Sequence, residues 1–479
     1  EELTIAKAHS AFRNGELTSE DLVKAYLERI QEIDPQINAI TVVNPAALDR
    51  ARALDKEFAE TGKLRPLHGV PLIVKDNINT AGLPTTAGSW ALENYIPTED
   101  AFIIQRLVDA GAIVMAKSNM AEWAFSPMHS ESSTGGITRN PYNLDHVPAG
   151  SSGGTGASVA ANLGLIGLGT DTGNSIRGPS SHNALVGFRM TLGLVSRSAI
   201  VPLYLRNDVV GPMCRTVEDA TKVLEAITGY DPLDPLTRYA EGNIPETYTQ
   251  YLQVDGLSGA RIGVLRDLTD RDMDPEVRQA FDQAVADLGG LGATVIDVQV
   301  PDFEIVADNQ WCASFREDLE TFLATYVKSD TVQTLEDVIA IGSSSEWALQ
   351  RLERNAANEG RWSDSNIPCR DAYTDSLRIA FRRAIEETMD SLAVDALIYP
   401  SWNFQPALID RFQEEYLGDN SQIISPHTGQ PAFTVPMGFS SKNLPMGLQF
   451  LGRMYDEGTL IRLMYAYEQG TRHRKVPKL

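Results

Sequence analysis

The stretch Val147–Pro179, VPAGSSGGTGASVAANLGLIGLGTDTGNSIRGP, sets Ser151, Ser152 and Ser175 among glycines on either side of one short apolar run. Ordered glycine costs backbone entropy, so this density marks a place where the chain turns sharply or passes close to something else. Three chemistries could use it. A phosphate cradle would end in Gly-Lys-Ser/Thr or follow a strand as G-x-G-x-x-G; here the first is absent, and Gly167, Gly169 and Gly173 space the last step one residue too far. A nucleophile elbow, G-x-S-x-G, is matched in letters by Gly150–Gly154 and would make Ser152 the nucleophile. Such an elbow follows a buried strand, whereas RNPYNLDHVPA is polar and carries two prolines. Its histidine would be His182 or His427, and neither has a context tied to the serine. The third chemistry pairs serine with a lysine base. A lysine serves as a base only when neutral, and burial lowers its pKa by disfavouring the ammonium. Lys75 and Lys117 each close an apolar run, and the residues alone leave open which is the base, or whether both are ion-paired at strand ends.

The elements that position these residues are legible by pattern. LTSEDLVKAYLERIQEID puts Thr18 three residues before Asp21 as a helix cap, followed by an apolar face at Leu22, Tyr26 and Ile30. VPLIV, AIVMA and LGLIGLG are apolar without alternation and flanked by helical segments, as expected of strands covered on both faces of an α/β sheet. In such sheets chemistry gathers beyond the carboxyl ends of the strands, where Lys75 and Ser175 lie. Between about Asp231 and Ser391 the chain is more charged and mostly helical in period, with strands expected at RIGVL and TVIDVQV. DALIYPS and PAFTVPMGF then return to short apolar strands. The expectation is one α/β domain over 1–479 with an inserted variable region.

The 41 Lys+Arg against 64 Asp+Glu give a net charge of −23, which opposes binding to nucleic acid or an anionic membrane. No run approaches the length of a membrane span. Cys214, Cys312 and Cys369 are too scattered for a disulfide framework or a zinc site and are read as ordinary thiols. The chain is read as cytoplasmic, with any leader already removed, and a homodimer would suit a chain of this size.

Taken together, GVPLIVKDN, PAGSSGGTGASVAA and LGTDTGNSIRGPSS resemble, in this order, the amidase signature family. The resemblance runs from about residue 16 to the C-terminus, is densest over 66–220 and weakest over 235–390, and residues 391–479 match the family's return to the sheet. It implies an α/β/α domain on a large mixed sheet with helices on both faces, and a serine amidohydrolase without metal or organic cofactor. Carried over by position, Ser175 is the nucleophile, Ser151 a serine after a cis peptide bond, and Lys75 the base, in preference to Lys117. Ser152 becomes a supporting residue, and Thr172, Gly173 and Asn174 supply backbone N–H groups to an oxyanion. The relay would run from Ser175 through Ser151 to Lys75, giving an acyl-enzyme. The implied substrate is a small aryl or acyl amide or a C-terminal peptide amide; MYAYEQGTRHR faintly resembles the peptide amidase branch. A urea-like or carbamate substrate is the alternative, and outside this class stand the glutaminase subunit of a tRNA-dependent amidotransferase and a silent binding protein.

The sequence departs from the family pattern at Asn174, where glycine is usual, and in SHNALVGFRMTLG, where Arg189 stands for a lysine and Met190 for a proline. Asn tolerates left-handed backbone, so the oxyanion site is expected to survive, with the Asn174 side chain free to narrow the pocket. Arg177 is read as structural through Asp171 or nearby carbonyls, with a substrate carboxylate as the alternative. Asp171 is read as structural. SPMHSESSTGG is read as a solvated loop whose Met128 and His129 are pocket candidates, Trp90 and Trp123 as core, and His427 as a surface histidine.

Overall fold

The computed structural model describes residues 2–308, 310–312, 314–357 and 369–479. Among the described residues thirteen strands occur in chain order: β1 Ile40–Val43, β2 Pro71–Lys75, β3 Ile113–Ser118, β4 Glu131–Ser132, β5 Gly136–Ile137, β6 Ile166–Asp171, β7 Val186–Arg189, β8 Val209–Cys214, β9 Arg261–Leu265, β10 Thr294–Val298, β11 Ala396–Pro400, β12 Ala432–Phe439 and β13 Pro445–Leu451. β4 and β5 form a small hairpin, and the rest make one 11-stranded sheet in the order β1-β3-β2-β6-β8-β7-β12-β13-β11-β9-β10. β2 runs parallel to β3 and β6, and β9 to β10 and β11; the other neighbours in the sheet are antiparallel.

The apolar runs read as two-sided strands are buried along their whole length in β2, β3 and β6, as is β11, because helices cover both faces of the sheet. RIGVL and TVIDVQV add two strands to one edge, so part of the variable region extends the sheet. Part of that region, 358–368 with 309 and 313, lies outside the described residues. The return at DALIYPS and PAFTVPMGF is β11 and β12 in the same sheet, the observation on which we propose a single domain. Among the described residues no helix is long and apolar enough to cross a membrane.

The helix Ser19–Ile37 opens on the expected cap: the Asp21 N–H donates to Thr18 Oγ1 at 3.0 Å, and Asp21 Oδ2 accepts from the Thr18 N–H. Thr18→Ala should lower unfolding stability by about 1 kcal/mol, measured as a shifted urea midpoint with unchanged slope.

Four expectations are corrected. Cys312 and Cys369 form a disulfide, their Cα atoms 5.9 Å apart across 57 residues of chain; a pairing made by tertiary approach leaves no spacing signal, and only Cys214 stays a buried thiol. Trp90 is 39 % exposed at the start of a 3-10 turn, while Trp123 is in the core. His427 is buried against Trp311, ring centroids 4.5 Å apart, because the turn preceding β12 is folded inward. The Ser126–Ser130 loop is buried too: its polar atoms bond one another, as in Ser126 Oγ to His129 Nδ1 at 2.7 Å, and the His129 ring stacks on Phe412 at 3.8 Å.

Candidate active site

β2 and β6 are parallel neighbours, so Lys75 and Thr170 reach the same end of the sheet. Lys75 is fully buried; its Nζ donates to Ser151 Oγ at 2.7 Å and to Thr170 Oγ1 at 2.8 Å, with the Thr170 carbonyl at 3.4 Å. No carboxylate touches it among the described residues. Burial pulls its pKa down to about 7, against the more distant negative charges of Asp171 and Asp208. Lys117 differs: its Nζ donates to the Ile78 carbonyl at 2.7 Å and Thr85 Oγ1 at 2.8 Å, with Asp76 Oδ1 at 3.7 Å. It therefore keeps the ion-paired role expected of a lysine at a strand end.

The Gly150–Ser151 peptide is cis. No strand leads directly into it: between β5 and Gly150 lie only turns and isolated bridges, in a segment that carries two prolines. A Cβ on Gly150 would lie 2.3 Å from the His129 carbonyl oxygen, and one on Gly154 2.2 Å from the Asn119 carbonyl oxygen. These two glycines let backbone approach backbone at the start of the helix Gly153–Ala160. Ser152 Oγ donates to the Thr170 carbonyl at 3.1 Å and accepts from the Thr170 N–H at 3.3 Å, tying the Ser151 turn to the end of β6.

Ser175 lies in the turn from β6 to the helix Arg177–His182 and is 5 % exposed. Its Oγ donates to Asn174 Oδ1 at 3.3 Å, and among the described residues no hydrogen bond joins it to Ser151. Asn174 Nδ2 donates to the Pro127 carbonyl at 3.2 Å, and the same carbonyl accepts from the Gly150 N–H at 2.9 Å. The Asn174 side chain thus joins Ser175 to the loop carrying Met128 and His129.

Two arginines fix the backbone ahead of Ser175. Arg177 Nη2 donates to the Gly173 carbonyl at 2.7 Å, and Arg189 Nη1 donates to the Asp171 carbonyl. The C=O and N–H of a trans peptide point in opposite directions, so these contacts turn the Asn174 and Thr172 N–H groups away from the arginines. Neither of those N–H groups, nor that of Gly173, donates to a described protein acceptor. Both guanidinium groups are held by Asp171, at 3.0 Å from Arg177 Nε and 2.9 Å from Arg189 Nη1. Burial would raise the Asp171 carboxyl, but the two guanidinium charges hold it at about 2. Arg177 is fully buried, with Nε and Nη2 held in this interior network and Nη1 without a hydrogen-bond partner among the described residues, and its burial fits the structural reading rather than a substrate carboxylate. Arg189 and Asp208 are residues whose roles the linear pattern did not reveal: Arg189 lies 18 residues from Asp171, and Asp208 accepts from Thr172 Oγ1 at 2.5 Å and from the Leu203 N–H at 2.9 Å.

His182 and His427 do not meet the serines. His182 is buried beside Trp402 with neither ring nitrogen hydrogen-bonded among the described residues, and burial lowers its pKa to about 3.

The fold agrees with what the chain is similar to. The sequence model of the family described as Amidase matches residues 21–461, and the chain belongs to that family, the amidase signature amidohydrolases acting on carbon–nitrogen bonds. A probable amidase of Arabidopsis thaliana is 35% identical, covering 100% of this chain and 92% of the relative. The crystal structure of native peptide amidase from Stenotrophomonas maltophilia is similar at TM-score 0.87 and 35% identity, covering 100% of this chain and 98% of that one. A glutamyl-tRNA(Gln) amidotransferase subunit of Caldanaerobacter subterraneus is 33% identical over 99% of this chain and 98% of its own.

Proposed function

We propose that the chain hydrolyses a carboxamide C–N bond of a small aryl or acyl amide or a C-terminal peptide amide, with Ser175 as nucleophile, Ser151 as relay and Lys75 as base. The observation that carries this reading is the Lys75 amine: buried, without a carboxylate partner, pulled down to about 7 and 2.7 Å from Ser151 Oγ. A neutral amine at that position accepts the Ser151 proton across the same contact. Ser151 in turn takes the Ser175 proton; the 3.3 Å contact from Ser175 to Asn174 is long for an O–H···O bond and is readily given up.

Ser175 Oγ forms a bond to the amide carbon while the carbonyl π bond opens onto oxygen. That oxyanion faces the N–H groups of Thr172, Gly173 and Asn174, of which those of Thr172 and Asn174 are aimed by the arginine contacts to the Asp171 and Gly173 carbonyls. As the tetrahedral centre collapses, the C–N bond breaks, and the relay returns a proton to the leaving nitrogen. Water then attacks the Ser175 ester by the same route, releasing the acid and restoring the hydroxyl.

The test is ammonia or amine release from a panel of carboxamides, with peptide mapping of the fluorophosphonate-labelled enzyme. The expected label sits on Ser175; turnover with the label elsewhere would overturn the assignment. Urea and carbamates in the same panel separate the alternative within this chemistry. The similarity to the amidotransferase subunit favours a second reading, glutamine hydrolysis within a larger complex, and glutamine in the panel distinguishes it.

Arg177→Lys should lower kcat about 10²-fold with little change in KM, because one ammonium cannot hold both Asp171 and the Gly173 carbonyl and the oxyanion donors lose their aim. Steady-state kinetics with separate kcat and KM check it; an equal change in KM alone would contradict this role.

A further inference from the structure

Above the oxyanion segment lies a second carboxamide that the reaction does not use. A Cβ on Gly173 would fall 3.0 Å from Gln422 Oε1 and 3.2 Å from the Trp311 ring, so these two side chains roof the backbone at Gly173. Gln422 ends the short turn Asn420–Gln422 that follows Asp419. Its Nε2 donates to Asp419 Oδ2 at 3.1 Å and to Tyr416 Oη, and the Tyr416 hydroxyl itself donates to Asp419 Oδ2 at 3.0 Å. Nε2 faces Asp419 and Tyr416, so Oε1 faces the site. Among the described residues no donor bonds Oε1.

Resting on the hydrolase reading above, we propose that Gln422 determines substrate specificity by accepting an N–H on the acyl side of the scissile amide, which makes the preferred substrates N-acylated amino-acid amides and peptide amides. The geometry follows from the oxyanion segment. A substrate carbonyl oxygen on the N–H groups of Thr172 to Asn174 brings the acyl carbon next to that carbonyl alongside Gly173, beneath Gln422. The donor that an N-acylamino acid carries at that carbon, its own N–H, meets Oε1. An aryl amide has no donor there, and its binding would leave Oε1 unpaired as the substrate displaces water from it. Trp311, 46 % exposed and set edge-to-face on His427, offers the amino-acid side chain a flat apolar surface.

The test uses the Ser175→Ala protein and two ligands that differ in one group, N-acetylphenylalaninamide and O-acetyl-3-phenyllactamide, in which oxygen replaces the N–H. Calorimetry should show the N–H ligand binding about tenfold more tightly, and the preference should fall to within about twofold when Gln422→Met is added. Equal affinities with Gln422 in place, no measurable binding of either ligand, or a preference that survives Gln422→Met would each overturn the proposal. The first two results need no Gln422 variant, so they stand even if that variant folds poorly. Ammonia release from N-acetylphenylalaninamide by the unaltered enzyme reports separately on the hydrolase reading. Release with equal affinities sinks the role of Gln422 alone; a tenfold preference without release sinks the hydrolase reading alone.

Discussion

Ser175→Ala is expected to lower turnover of any amide substrate by at least about 10⁴-fold and to remove the single fluorophosphonate adduct from the intact mass. Among the described residues no second nucleophile is placed to replace it. Ser151 gives its oxygen to Lys75 and Ser152 gives its own to the Thr170 backbone, so neither is free to attack. Ser151→Ala should act in the same relay, and the double variant should lose scarcely more than either single one, since residues that work as a unit are far from additive. An adduct that persists in Ser175→Ala and disappears in Ser152→Ala would restore the nucleophile-elbow reading.

Lys75→Met is expected to cost about 10³-fold in kcat/KM, within the usual worth of a positioned base. Methionine keeps the length and the apolar stem and removes the amine. With the Lys75 pKa at about 7, kcat/KM of the unaltered enzyme should climb as the ammonium is lost, standing about tenfold below its plateau at pH 6 and levelling above pH 8. The residual activity of Lys75→Met should lack that limb. The same shift has a sign for stability. The folded pKa lies below the 10.5 of the unfolded side chain, so between about pH 7 and 10 the unfolded chain holds more protons at this site and stability rises with pH. Denaturant titrations at pH 6 and 9 should show that rise in the unaltered protein and a smaller one in Lys75→Met. A pH profile unchanged by the substitution would assign the base elsewhere, with Lys117 the next candidate.

Asn174 shows how a departure from a family pattern becomes intelligible in three dimensions. Its side chain stays within the site and bonds Pro127, which links the Ser175 turn to the backbone before Ser151. The buried Ser126–Ser130 loop reads as solvated from sequence for a related reason. Its polar letters describe a solvated loop as well as one whose hydroxyl and imidazole groups satisfy each other, and only the packing of Phe412 on His129 separates the two.

The sequence by itself determined the strands that end at Lys75 and Asp171, because two-sided burial demands unbroken apolar runs. It determined the Thr18 cap, because an N-cap and its partner lie within four residues, and it pointed to Lys75, Ser151 and Ser175 through three linked motifs. All of these signals are local or carried by order along the chain. The tertiary structure alone decided what depends on distant segments meeting: the Cys312–Cys369 bond, the hold of Arg189 on the Asp171 carbonyl, the burial of His427 beneath Trp311, and the Gln422 carboxamide above Gly173. Contacts across tens or hundreds of residues carry no period and no fixed spacing. They exist only once the sheet has brought its strand ends together.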